Sequence, residues 1–300
     1  MLHRMNFKNV YILLFLALIY NTNQAQSDFK QLETDLAFHC DVMTNAAEGR
    51  HRMIAQNHFS KGFAKALKEK NAYSYPFDSL KWISKKYADD NSFRILTWEA
   101  KESDVLYHYF GYLQMSDGAL IPLKDQFKNI ENLNSALTAD EWVGSVYYHI
   151  MAVDGPDKEK YYLLFGLNRW DKNENRKVVD VLWFDKNKNP VFGKPVFNKS
   201  EDSKNNLKLN RLLFIYSSDA QMTVNYNPGM KMILFDHLIP RMSRTDKSKE
   251  TYVPDGSYSG YTEDKGIWKR VEKLANQVME TAPRPTPVLD GRKGKKIFGN

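Results

Sequence analysis

From Ser92 to Trp268 the chain is a succession of strand-length apolar runs cut by turn residues, and this alternation constrains the fold more than any other feature. "FRILTWEA", "VLYHYFGYLQ", "IPL", "VYYHIMAV", "KYYLLFGL", "RKVVDVLWF", "PVFGKPVF", "RLLFIYS", "AQMTVNY" and "MKMILFDHL" make about ten strands. Turn segments such as "MSDGAL", "DGPDKEK", "DKNEN", "DKNKNP", "SSDA" and "NPG" separate them at hairpin spacing, which predicts a mostly antiparallel sheet. Within "YYLLF", "VVDVLWF", "LLFIY" and "MILF" both alternating positions are apolar, so both faces of the central sheet must be covered.

The cover for one face is expected from residues 27–87, where the period is helical. Phe29, Leu32, Leu36, Cys40 and Met43 form one stripe at spacings of three and four, and Phe59, Phe63, Ala66 and Leu67 form another. A third helix is expected after Pro76, with Phe77, Leu80 and Ile83 along one side. A second sheet layer, or the sheet curling on itself, is expected over the other face. The polar interlude "KDQFKNIENLNSALTADEW" predicts a short helix. The fold class is therefore α+β: N-terminal helices packed on a large, mainly antiparallel sheet, as a sandwich or a partly open barrel. No Pro-, Gly- or Ser-rich linker divides residues 26–281, which are expected to form one domain, helical over 27–87 and β-rich over 92–268.

The first 25 residues read as a signal peptide. Arg4 and Lys8 precede the apolar run Val10 to Tyr20, and the small residue Ala25 marks the expected cut, leaving Gln26 first. A run of that length is too short to cross a hydrocarbon core of about 30 Å, and no later apolar stretch approaches a span. A secreted or periplasmic product with no transmembrane segment after cleavage follows. Cys40 is the only cysteine, so no intramolecular disulfide can form, and its place on the first stripe predicts a small buried hydrophobe.

The formal charge of +7 invites a nucleic-acid reading until it is divided along the chain. The leader removes two basic residues, and residues 282–300 hold five basic residues against one acid, which leaves the body close to neutral. Such charge in a Pro- and Gly-containing end predicts a flexible basic tail, with no nucleic-acid partner.

"WDKNENRKVVDVLWFDKNKNPVFG" writes Asp-Lys-Asn-x-Asn twice and raises the question of calcium. A closed loop needs glycine at position 6 and a bidentate glutamate at position 12. Arg176 and Leu182 stand there in the first copy, Pro190 and Val196 in the second. Two hairpin turns flanking the strand Lys177 to Phe184 are the better reading, since Asp and Asn hydrogen-bond their own backbone. No metal site and no cofactor is expected.

No nucleophile elbow, phosphate-binding glycine loop, HExxH or Cys/His metal spacing occurs. The candidate site is instead a polar and aromatic group expected at a strand end and in the loop after it: Asp236, His237, Asp255, Tyr258, Tyr261 and Trp268. The phrases "YPFDSLKWI", "FRILTWEA", "YFGYLQ", "YYLLFGLNRWD", "KVVDVLWFD", "FGKPVF", "LLFIYSSDAQMTVNY", "ILFDHLIP" and "YVPDGSYSGY" together make the chain resemble a family of uncharacterised secreted proteins from Bacteroidetes-type bacteria. That resemblance implies export and brings no established activity or catalytic residue. Two readings follow. One is a non-enzymatic binding or interaction protein with a small molecule or a protein as partner. The other is a hydrolase in which Asp236 orients His237 as general base, with Asp255 nearby.

Overall fold

The computed structural model describes residues 29–129, 133–156, 158–200, 207–244, 249–272 and 274. The leader and the basic tail expected from the sequence lie outside the described residues. Two helices come first, α1 over residues 29–45 and α2 over Gly49–Lys68, followed by strands in three sheets. The α+β expectation holds, and the sheets do not close into a barrel.

The first sheet is a four-stranded antiparallel meander of β1 (Ser84–Tyr87), β2 (Phe93–Ser103), β3 (Leu106–Met115) and β4 (Leu120–Lys124). The second contains β5 (Leu137–Thr138), β6 (Val146–Asp154), β7 (Lys160–Arg169), β8 (Glu174–Phe184) and β9 (Pro190–Phe192), with β12 (Leu212–Ser217) beside the first half of β8. The third is ordered β11 (Lys208–Leu209), β10 (Phe197–Asn198), β16 (Ile267–Val271), β15 (Glu250–Asp264), β14 (Met232–Met242) and β13 (Val224–Asn227). Its β10–β16 pairing is parallel, through Phe197 and Trp268.

The layers stack in chain order, and here the structure corrects the expected cover. The helices lie on the outer face of the first sheet: Phe59, Phe63, Cys40 and Met43 share a buried cluster with Leu96, Trp98 and Ala100 of β2. The alternate positions Phe93 and Ile95 turn the other way and pack with Tyr147, Tyr162, Leu164 and Leu182 of the second sheet. The opposite face of that sheet, through Tyr161, Leu163, Phe165, Val179 and Val181, packs on Ile233, Phe235, Tyr261 and Trp268 of the third. Strands apolar on both faces are thus explained by a sheet on each side rather than by helices. The helix stripes are buried as expected except Leu32, which is 40% exposed. Burial pushes the Cys40 thiol up to about 11, so it is an inert core group.

The third helix does not form. Phe77 has φ 53, in the left-handed region that breaks a helix, and the chain turns into the short strand β1. Phe77, Leu80 and Ile83 are buried all the same. Three charged side chains hold the loop from neighbouring elements. Glu33 of α1 accepts from the Tyr75 hydroxyl at 2.7 Å and the Ser79 amide at 2.5 Å. Lys85 donates to the Phe77 and Leu80 carbonyls at 2.8 Å each. Arg94 donates to the Ala72 and Tyr75 carbonyls at 2.7 and 2.8 Å. Side-chain donors on backbone carbonyls replace the helical ladder, and local periodicity does not register them. In the polar interlude the described residues form two 3-10 turns, Phe127–Asn129 and Ala139–Glu141, in place of the expected helix.

Both Asp-Lys-Asn segments are turns. Asp171 Oδ1 accepts the amides of Asn173 and Glu174 at 2.7 and 2.9 Å, and Asp185 Oδ1 accepts those of Asn187 and Asn189 at 2.8 Å each. Lys188 takes φ 64 and closes the second turn onto the Asp185 carbonyl at 2.8 Å. The carboxylates that a calcium ion needs are therefore bound to their own backbone. A ligand at a hundred times its dissociation constant contributes about 2.7 kcal/mol. A thermal melt in millimolar calcium and one in chelator are expected to share a midpoint, and a shift of several degrees would contradict the turn reading.

Candidate functional site

The third sheet holds every sequence-predicted site residue, but on different faces and in different roles. The strand "ILFDHLIP" does not end at His237. β14 runs on to Met242, and a bulge between Asp236 and Leu238 places His237 at a mid-strand irregularity. "YVPDGSYSGY" is not a loop either. It lies within β15, paired with β14 over most of its length and with β16 from Gly260 to Asp264. Alternating aromatic and small residues fit a pleated surface, which outweighs the turn signal of Pro254, Asp255 and Gly256. That signal survives as a local kink: Gly256 has φ 88, and Asp255 Oδ1 accepts from the amide and hydroxyl of Ser257 at 2.8 and 2.7 Å.

Tyr261 and Trp268 face the second sheet and are each 1% exposed. Trp268 Nε1 donates to the Tyr161 hydroxyl at 2.9 Å, which donates to the Gly266 carbonyl at 2.9 Å. Both aromatics belong to the core that joins two layers and cannot meet a ligand. Asp236 is also buried. Its Oδ2 accepts from the amide and hydroxyl of Thr223 at 2.6 and 3.0 Å, which ties β14 to the residue before β13. Burial raises its pKa above the usual carboxylate range, opposed by the Thr223 bonds and by Lys177.

This geometry removes the catalytic pair expected from the sequence. The Asp236 carboxylate is held by Thr223, and His237 Nδ1 faces the Ser259 hydroxyl at 3.5 Å, the outer limit of a hydrogen bond. A general base needs an orienting partner within hydrogen-bond reach, and Asp236 is not that partner.

What remains open is the outer face around Tyr258. In register, Tyr258 lies opposite Asp236, and Leu234 lies between Asn225 and Gly260. A small pocket of about 190 Å³ opens there, lined by Thr223, Asn225, Asn227, Leu234, Tyr258 and their neighbours Tyr226 and Pro228. Among the described residues no lining side chain is charged. Thr223 is fixed by Asp236, and Asn227 Oδ1 is fixed by the Met230 amide at 3.0 Å. Among the described residues, the Asn225 amide and the Tyr258 hydroxyl have no hydrogen-bond partner, although both residues are half-buried. Sequence reasoning found Tyr258 and missed Asn225 and Asn227, because "TVNYNPG" reads first as a strand running into a turn.

A wider open groove of about 540 Å³ lies between α2 and the β2–β3 hairpin, lined by Arg50, Met53, Ile54, Asn57, Glu102, Ser103 and Leu106. Among the described residues, no helix is long and apolar enough to cross a membrane. No group of three or more His, Cys, Asp or Glu there is placed to hold a metal ion. No family model, curated protein or solved structure matches the chain.

Proposed function

We propose that this is a non-enzymatic binding protein, exported by its leader, that takes a small uncharged ligand rich in hydroxyl or amide groups on the outer face of the third sheet. The observation that carries this reading is the pocket at Tyr258. Among the described residues its polar ends at Asn225 and Tyr258 are unpartnered, Thr223 and Asn227 Oδ1 are held in place, and its walls are tyrosine, leucine and proline. Specific small-molecule sites combine such apolar walls with a few placed polar groups. The volume of about 190 Å³ lies below the range of drug-sized sites, so a ligand of about one sugar ring is the fitting class. Among the described residues no lining side chain is charged, which disfavours anions and cations, since neither would find a counter-charge there on leaving water.

The hydrolase reading has less support, because its base lacks the orienting acid. Calorimetric titration with neutral monosaccharides, their N-acetylated forms, a uronate and an amino sugar tests the proposal. The protein used is the form recovered from the periplasm or medium, whose first residue should read Gln26. Neutral sugars are expected to bind, and Asn225→Ala is expected to weaken them about tenfold, the equivalent of one hydrogen bond worth about 1.4 kcal/mol. Binding confined to the charged sugars, or indifferent to Asn225, would overturn the reading.

A further inference from the structure

Lys177 stands near the start of "KVVDVLWF", where a lysine ordinarily points to solvent. The structure puts it elsewhere. In register it lies between Leu167 of β7 and Phe214 of β12, and it shares a face with Val179 and Val181, the face that packs on the third sheet. The side chain is half-buried. Its Nζ lies 4.4 Å from the centre of the Tyr148 ring and has no hydrogen-bond partner among the described residues.

An ammonium in that place is poorly served. It has one aromatic face in place of the three acceptors that an ammonium can satisfy. The titratable and charged groups around it come from four strands. Tyr148 of β6 donates its hydroxyl to the Val224 carbonyl at 2.7 Å, Tyr216 of β12 is buried, and Arg169 of β7 and Asp236 of β14 act on Lys177 with opposite sign. Burial, then Arg169, pulls the amine down to about 8, and Asp236 only partly restores it. A lysine desolvated beside a second cation and an aromatic wall is the arrangement that makes an amine nucleophilic near neutral pH.

We propose that Lys177 is a reactive amine that captures small aldehydes or ketones as a reversible imine at the margin between the second and third sheets. The nitrogen lone pair attacks the carbonyl carbon, the carbonyl π pair moves to oxygen, and a proton transfers from nitrogen to that oxygen to give a carbinolamine. Loss of water then forms the carbon–nitrogen double bond, with no change of oxidation state and no further reactant. Water reverses both steps. Tyr148 and Phe214 flank the site and suit an apolar carbonyl compound, with benzaldehyde as a simple probe. The site shares no residue with the pocket at Tyr258, so either reading can fail without the other.

The test is reductive trapping. The whole protein is exposed briefly to limiting benzaldehyde and cyanoborohydride at pH 8, and labelled lysines are located by peptide mass mapping. At that pH an amine of pKa about 8 is half neutral, against about 0.4% for an ordinary lysine near 10.4. Lys177 is expected to label at least about tenfold faster than the exposed Lys61 and Lys188, and this preference should persist at pH 7. Lys177→Arg should remove the fast phase and leave the slow sites unchanged. Labelling of Lys177 no faster than Lys61 or Lys188 in the folded protein, or a fast phase that survives Lys177→Arg, would overturn the proposal.

Discussion

Arg94→Leu is expected to destabilise the protein by about 4 kcal/mol or more, the largest effect of any single substitution considered. Arg94 is 0% exposed, and among the described residues no carboxylate pairs with it. Burial pushes its pKa down, yet a guanidinium stays charged. Its charge is spread over neutral acceptors instead. Nε donates to Gln114 Oε1 at 2.7 Å, one terminal nitrogen to the Tyr75 carbonyl and Tyr87 hydroxyl, and the other to the Ala72 carbonyl. The rings of Tyr73, Phe77 and Tyr87 surround it at 5.4 to 5.7 Å. Removing the guanidinium strands several acceptors at once, each at about 1–3 kcal/mol, and loosens the whole 72–83 loop. Lysine should not rescue it, because a point charge cannot span the fork. Denaturant melts check this, and a loss under about 1 kcal/mol, or full rescue by Arg94→Lys, contradicts it.

The second large effect is expected at Asp180. This carboxylate is 0% exposed in the second sheet, and its Oδ1 accepts from Arg211 Nε at 3.0 Å. Arg211 is 5% exposed and also donates to the carbonyls of Ser135, Phe192 and Leu133. One cation thus binds the 133–135 segment, β9 and β8 together. Asp180→Ala leaves that cation buried without its counter-charge and is expected to cost about 3–5 kcal/mol. The pair Asp180→Leu with Arg211→Met should cost clearly less than the sum of the two single changes, by at least about 1 kcal/mol in a urea denaturation cycle. Simple additivity would show that the two groups act separately.

These two arginines mark what the sequence could and could not convey. Strand positions were legible because "YYLLF" and "VVDVLWF" carry two apolar faces, and the turns were legible because Asp171 and Asp185 bind amides only two to four residues away. Such signals are local. The 72–83 loop was not legible, since Glu33, Lys85 and Arg94 that hold it come from different elements and Phe77 to Ile83 keep a helical spacing anyway. The cover of the central sheet was misassigned for a related reason. Helix stripes show that something must be covered, not which sheet.

The candidate site was legible only in part. Tyr258 belongs to the pocket, whereas Asp236, Asp255, Tyr261 and Trp268 serve the backbone and the core. A polar or aromatic side chain near a turn signal looks the same in sequence whether it faces a ligand, caps an amide or fills a layer. Lys177 was hidden by the opposite effect. At the beginning of a strand a lysine resembles a solvent-facing residue, and only the register with Leu167 and Phe214 turns it inward.

The central claim, that the pocket at Tyr258 takes a small neutral ligand without chemistry, is tested most directly by saturation-transfer NMR with neutral mono- and disaccharides. Wild-type protein and Tyr258→Ala are compared under the same conditions. Transfer to the ring protons of at least one neutral sugar is expected with wild type, with loss of the signal in Tyr258→Ala and the sugar recovered unaltered. Transfer that persists in Tyr258→Ala, absence of transfer to every neutral sugar, or conversion of the sugar during the experiment would contradict it.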